Sequence, residues 1–275
     1  MHQELTKAFL EEVYIRQKLS TWAIEKEYGL TRSRVYAALK RYGIQTRSIA
    51  ASHVRYNREN FSGDIHEKAY LIGFTIGDLR VRRHNKSHCE TISIGCGSTK
   101  LAQVRLFEDL FSRYGRVWKG RPDARGAINM EAFVNLSFSF LLPNQRSYEW
   151  TLADESSFFA FLAGFTDAEG SFCIAQGQAR IAWGNYDTGV LSFIRTGLSR
   201  YGIDPPKLYC DTLQGYIGSH GYPRNKNYCH VTCTKKRVVF TVLNKLDSFI
   251  RHSDKRAKME MVRENITRRD AMYGE

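Results

Sequence analysis

Long apolar runs are missing from this sequence. The longest, such as Phe158 to Phe165, are short and lead into acids, well under the ~20 apolar residues of a membrane-spanning helix. The start Met1-His2-Gln3-Glu4-Leu5 has no basic residues followed by an apolar core, which predicts no secretory signal. Cysteine is sparse, six in 275 residues, as in a reducing compartment where thiols serve as small apolar side chains. Acids are in deficit: 28 Asp and Glu against 41 Lys and Arg leave a formal charge of +13. That imbalance favours a polyanionic partner, nucleic acid before an anionic membrane surface. No glycine-rich phosphate loop and no Ser/His/Asp pattern occurs, and neither end carries protein-splicing features, so a freestanding protein is expected. Together these absences predict a soluble cytoplasmic protein that associates with nucleic acid and not with a membrane.

What is present suffices for packed cores, with 43% hydrophobic and 25% charged residues. The length suggests about two domains of roughly 150 residues each. The first fifty residues read as three short helices. Leu10, Val13, Tyr14 and Gln17 follow a three-to-four spacing; Ser20 and Thr31 stand as N-caps, each after a leucine that can staple to the helix. Gly29 supplies a turn and Gly43 an end. On the third helix Val35, Ala38 and Leu39 face inward, while Arg32, Arg34, Tyr36 and Lys40 face out. From Tyr28 to Arg58 there are Lys and Arg residues but no Asp or Glu. These are the ingredients of a helix-turn-helix DNA-binding domain over residues 1–46, the alternative being a helical cap with solvated arginines. Residues 47–65 read as a linker.

The remainder repeats itself. Tyr70-Leu-Ile-Gly-Phe-Thr-Ile-Gly-Asp78 matches Phe161-Leu-Ala-Gly-Phe-Thr-Asp-Ala-Glu169, Ile94-Gly95 matches Trp183-Gly184, and Ser112-Arg-Tyr-Gly115 recurs at Ser199-Arg-Tyr-Gly202. Ordered matches with slowly drifting offsets predict a duplicated unit, residues 66–150 and 151–275. Each copy reads as α-β-β-α-β-β-α, the first closing on a helix over Ser137–Leu142, and one more helix follows over Asp254–Asn265. The fold class expected is α+β.

Gly73 and Gly77 lie four apart, as do Gly164 and Ala168, so each apolar helix has one face of small residues on which the two can pack. Each helix ends in an acid, Asp78 or Glu169, and the pairing brings both carboxylates to a pseudo-twofold axis. Two hard oxygen ligands close together favour a divalent cation such as Mg²⁺ between them. Simple hydrogen bonding of acids at helix C-termini is disfavoured by the helix dipole.

The two motifs resemble the one that names the LAGLIDADG homing endonucleases, strongly at Leu162–Gly170 and less so at Leu71–Leu79, where Ile76 and Leu79 depart from the pattern. Two copies in one chain resemble the monomeric, pseudosymmetric members. The resemblance implies two antiparallel β-saddles in the DNA major groove and site-specific cleavage of both strands of a long target site by metal-activated water. It implies Mg²⁺ or Mn²⁺ at Asp78 and Glu169, with help from the carbonyls of Gly77 and Ala168. Position after the motif helices points to Lys100 and Asn185 beside the water. The segment Arg251–Lys255 resembles the family's basic stretch, so Lys255 or Arg251 is expected to polarise a phosphate.

Arg80, Arg82 and Arg83 on one saddle, and Gln176, Gln178 and Arg180 on the other, suit base-edge readout, although an alternating basic strand is also what a solvated face looks like. A silent DNA-binding regulator or an RNA maturase acting on intron RNA is the alternative on the same scaffold. Cys229-x-x-x-Cys233, with Cys210, His220 and His230 nearby, falls on an apparent strand and fits no common zinc spacing.

Overall fold

The computed structural model describes residues 4–47, 56–84, 90–212, 214–217 and 226–273. Its contacts divide the chain into a small unit, Met1–Asn57 with Lys86–Glu90, and a larger one, Arg58–Asn85 with Thr91–Glu275. In the small unit α1 (Lys7–Leu10) runs into a π-helical stretch (Glu11–Arg16), followed by α2 (Thr21–Tyr28) and α3 (Arg32–Arg41). Ser20 caps α2 by accepting the Ala23 N–H at 3.0 Å. Gly29 ends it at φ +69°, a conformation that costs an L side chain energy. The Thr31 hydroxyl bonds no N–H of α3, contrary to the expected cap. Leu10, Val13, Tyr14, Ile24, Leu30, Val35, Ala38 and Leu39 form the core. Gln17 is not in it: the π-helical turn shifts the spacing, and its exposed amide donates to Glu12 at 3.2 Å.

The stretch expected as a linker is anchored at both described ends; residues 48–55 lie outside the described ones. Arg47 covers the Tyr14 ring at 4.3 Å and donates to the carbonyls of Lys18 and Leu19. From the other end, Arg58 donates to Thr91 at 2.6 Å, and Phe61 packs on Tyr114, Phe138 and Phe140.

The larger unit is built on α4 (Ile65–Asp78) and α6 (Glu155–Glu169), capped by Asp64 and Asp154. A Cβ on Gly73 would lie 2.0 Å from the Phe161 carbonyl oxygen, and one on Gly164 would lie 2.0 Å from that of Tyr70. The helices therefore touch backbone to backbone. Two antiparallel sheets extend from them. One holds β1 (Arg80–Arg83), β2 (Ile92–Ser98), β3 (Arg116–Lys119) and β4 (Ile128–Val134) in the order β1-β2-β4-β3. The other holds β5 (Gly170–Ala175), β6 (Gln178–Asn185), β7 (Leu208–Cys210) and β8 (Cys229–Cys233) in the order β5-β6-β8-β7. Each sheet is backed by an amphipathic helix, α5 (Leu101–Phe111) or α7 (Thr188–Arg200). The chain ends in α8 (Lys236–Leu246) and α9 (Ser253–Tyr273).

Several expectations need correction. The first repeat closes on a 3₁₀ helix, Leu136–Leu141: Asn135 Oδ1 accepts the Ser137 N–H at 3.0 Å, which tightens the turn, and Pro143 follows. The last helix runs on to Tyr273, since no glycine or proline breaks it. Leu101 is exposed although its pattern-mates on α5 are buried. The middle sequence match is two residues out of register. Arg80 pairs with Gly95 and Gly170 with Trp183, so counting from the two acids sets Cys96 against Trp183, an offset of 183 − 96 = 87 that equals the offset of the Arg-Tyr-Gly matches. Cysteine usage differs too. Cys210 and Cys229, partners across β7 and β8, form a disulfide, so they are neither free thiols nor zinc ligands; His220 lies outside the described residues. Cys96 and Cys233 do act as small apolar residues, with burial pushing their thiols up to about 11 and about 12. No helix among the described residues is long and apolar enough to cross a membrane.

Gly73→Ala or Gly164→Ala must force the helix backbones apart. Each is expected to cost at least about 2 kcal/mol, read as a fall in the denaturant midpoint of the larger unit. A variant within about 0.5 kcal/mol of native would show that the close approach is dispensable.

Candidate functional site

The close approach of α4 and α6 continues to their C-terminal ends. A Cβ on Gly77 would lie 2.5 Å from Ala168 Cβ and 2.6 Å from Glu169 Cγ, so the last turns are in contact and the Asp78 and Glu169 side chains emerge together. Burial raises the pKa of both carboxyls, and the Asp78 charge raises that of Glu169 further. Asp78 is solvent-exposed as a residue, and its shift reflects how much protein surrounds the carboxyl group itself. The Lys255 charge opposes both shifts; at Asp78 a hydrogen bond from Gln103 and the Lys100 charge oppose it as well.

Lys255 comes from the first turn of α9, and its ammonium donates to the carbonyl oxygen of Gly170, the residue after Glu169. Burial lowers its own pKa, while the charges of Asp167 and Asp78 raise it. Lys100 stands at the N-cap of α5. Both lysine charges act on Asp78, and that of Lys255 acts on Glu169 as well.

Three residues that the sequence did not single out complete the site. Gln103, 5% exposed on α5, donates Nε2 to Asp78 Oδ2 at 2.8 Å. Asp167, within the second motif and 1% exposed, accepts from Tyr70 Oη at 2.7 Å and from the backbone N–H groups of Arg251 at 2.8 Å and His252 at 3.1 Å, all on Oδ2. It thereby ties α4, α6 and the entry to α9 into one knot. His252 is buried at that entry and its Nδ1 has no partner. The available signals were Gln103 as an amide on an apolar helix face and Asp167 as an acid within an otherwise apolar helix.

Two expected contributors are committed elsewhere. Asn185 Oδ1 accepts the Asp187 N–H at 2.8 Å in the turn before α7. The Arg251 guanidinium lies 4.5 Å from the centre of the Tyr70 ring and 4.0 Å from Glu67, which holds it in the packing around Asp167.

Of the expected base-reading residues, Arg80, Arg82, Gln178 and Arg180 lie on the sheets' outward side. Arg80 and Arg82 are exposed and Val81 is buried between them; Arg83 is exposed at the strand end. Gln176 sits at φ +52° in the β5–β6 turn with Gly177 at +73°, Gln178 is exposed, and Arg180 is half-buried. In the small unit Arg34, Tyr36 and Lys40 are exposed on α3, while Arg32 pairs with Glu25 at 3.0 Å. Among the described residues no group of three or more His, Cys, Asp or Glu side chains gathers to hold a metal.

No family model matches this sequence, and no curated protein matches it either. Solved structures with a similar fold include I-DmoI in complex with DNA and Mn, at 16% identity and TM-score 0.46 over 66% of this chain and 97% of that one. Full-length DUF199/WhiA from Thermatoga maritima aligns at 15% identity and TM-score 0.46 over 77% of this chain and 63% of that one. The N-terminal LAGLIDADG domain of DUF199/WhiA aligns at 15% identity and TM-score 0.44, over 67% and 84%. Likenesses of this size carry neither site nor activity from one chain to the other.

A carboxyl whose pKa rises on folding costs stability at any pH where it must ionise in place, and costs nothing below its unfolded value. Glu169→Gln is therefore expected to raise the thermal midpoint at pH 7 to 8, by about 2–4 °C for each ~1 kcal/mol relieved. The gain should shrink as the pH falls through the raised carboxylate pKa. A gain that persists unchanged at pH 4 would show that ionisation of Glu169 carries no cost.

Proposed function

We propose that the chain is a site-specific DNA endonuclease that makes a double-strand break at a long target site by metal-dependent phosphodiester hydrolysis. The observation that carries this reading is the pair of carboxylates at touching helix ends, with Lys255 beside them. The donor set fits Mg²⁺ or Mn²⁺: hard oxygens only, and two buried carboxyls that resist ionising, Glu169 the more so for the Asp78 charge. Asp78 and Glu169 would hold the ion with the carbonyls of Gly77 and Ala168. There it would supply a Lewis acid for the scissile phosphate and a more acidic bound water.

The chain's own residues do the rest. Gln103 fixes one Asp78 oxygen and leaves the other available. Lys255, anchored to the Gly170 carbonyl, sets positive charge next to the acids, where a phosphate would otherwise be repelled, and Lys100 adds to it. Arg80, Arg82, Gln178 and Arg180 present donors to base edges from the outward sheet faces, Arg83 from a strand end and Gln176 from a turn. The small unit acts as a helix-turn-helix that presents Arg32, Arg34, Tyr36 and Lys40 of α3 to duplex DNA, and the protein works as a monomer.

Cleavage of a genomic or randomised DNA library with Mg²⁺ tests this reading. Discrete cleavage is expected from the native chain, with a loss of at least ~100-fold in both Asp78→Asn and Glu169→Gln and with DNA binding retained. Binding without cleavage in all three proteins sinks the nuclease and assigns the scaffold to a DNA-binding regulator or an RNA maturase.

A further inference from the structure

Along their ladders, the outward faces of the two sheets carry Arg80, Arg82, Arg116 and Arg180 but only one acid, Glu131. A carboxylate on a surface that meets phosphates costs affinity on every sequence. Such a residue belongs there when it discriminates between sequences.

Glu131 is held in place. Its Oε1 accepts from Arg82 Nη2 at 3.0 Å and from the Ser93 hydroxyl. Ser93 is the ladder partner of Arg82, and Glu131 faces Gly95 from β4, so the carboxylate sits at the centre of the sheet and not on its rim. A Cβ on Gly95 would lie 3.3 Å from the Arg80 guanidinium; the glycine lets Arg80 lie across β2 toward Glu131. Burial alone would raise the carboxyl's pKa, but the bonds from Ser93 and Arg82 outweigh it and hold Glu131 below the ordinary value, hence ionised. Both bonds fall on Oε1, which leaves Oε2 for a further donor.

We propose that Glu131 is a specificity-determining residue that accepts a hydrogen bond from the N4 amino group of a cytosine in the major groove, an inference that rests on the DNA-binding reading above. The base follows from donor and acceptor patterns. Cytosine presents an amino donor there and no acceptor of its own. Adenine sets N7 next to its amino group, guanine presents N7 and O6, and thymine presents O4; each of these acceptors repels a carboxylate. Arg82 shares the restrained oxygen, so removing Glu131 frees a cation to meet phosphate on any sequence.

The test is selection of bound duplexes from a randomised library by the full chain in EDTA, where binding alone is read. Native protein is compared with Glu131→Gln and Glu131→Ala, each checked for an unchanged thermal midpoint. Native protein is expected to enrich cytosine at one position by about tenfold. Both variants should lose that preference, bind a mixed-sequence duplex more tightly, and steepen the salt dependence by about one phosphate contact. A cytosine preference that survives both substitutions, or none in the native selection, overturns the role of Glu131 and leaves the DNA-binding reading intact. Native protein that binds no duplex overturns both.

Discussion

The architecture of the larger unit depends on the contact between two helix backbones at Gly73 and Gly164. Any side chain at either position would enter the carbonyl of the opposite helix, so the separation of α4 and α6 is set by the absence of atoms. Because both helices run to the same end of the contact, their last residues emerge together and β1 and β5 leave from adjacent points. The acid pair is thus a consequence of helix packing. The sheets fix only what surrounds it.

Asp167 is the second constraint, and it makes the two halves of the unit unequal. Its counterpart in the first motif is Ile76, which packs partly buried against the core and cannot bind backbone N–H groups. Only the second helix can therefore hold the entry to α9, and that entry delivers Lys255. A similar inequality surrounds the acids. Gln103 bonds Asp78, while the position 87 residues later is Val190, buried and without a donor. Opposite Cys96 stands Trp183, whose indole donates to Thr166 at 2.7 Å. The two halves share the helix contact and differ in what they bring to each carboxylate.

This division explains which parts of the structure were legible in the sequence. Apolar spacing located the long helices of both repeats though not the 3₁₀ turn that closes the first, and small residues four apart identified the helix contact, because these signals are local. Nothing local to Gln103, Asp167 or Arg47 names the partner each one binds. Their partners lie 25, 85 and 29 residues away, and whether a polar side chain is a solvated surface group or a buried tie depends on what the fold sets opposite it. The Ile94-Gly95 match failed for a related reason: a glycine two residues off looks identical in a linear comparison and lies on the same face, and only the ladder partner fixes the register. The disulfide likewise joins two residues that the sequence leaves 19 apart.

Stability alone does not account for the acid pair. Carboxylates at helix C-termini oppose the helix dipole, and neither α4 nor α6 has a basic residue in its last turn to offset this. The offset comes instead from Lys100 and Lys255, and Lys255 itself loses hydration in supplying it. Neutral residues of similar shape would avoid the repulsion between the acids, their burial and the desolvation of the lysine together. A basic sheet face needs no such explanation, since any solvated sheet can carry one. The weight of the functional reading therefore falls on Asp78 and Glu169, where the fold accepts a local cost.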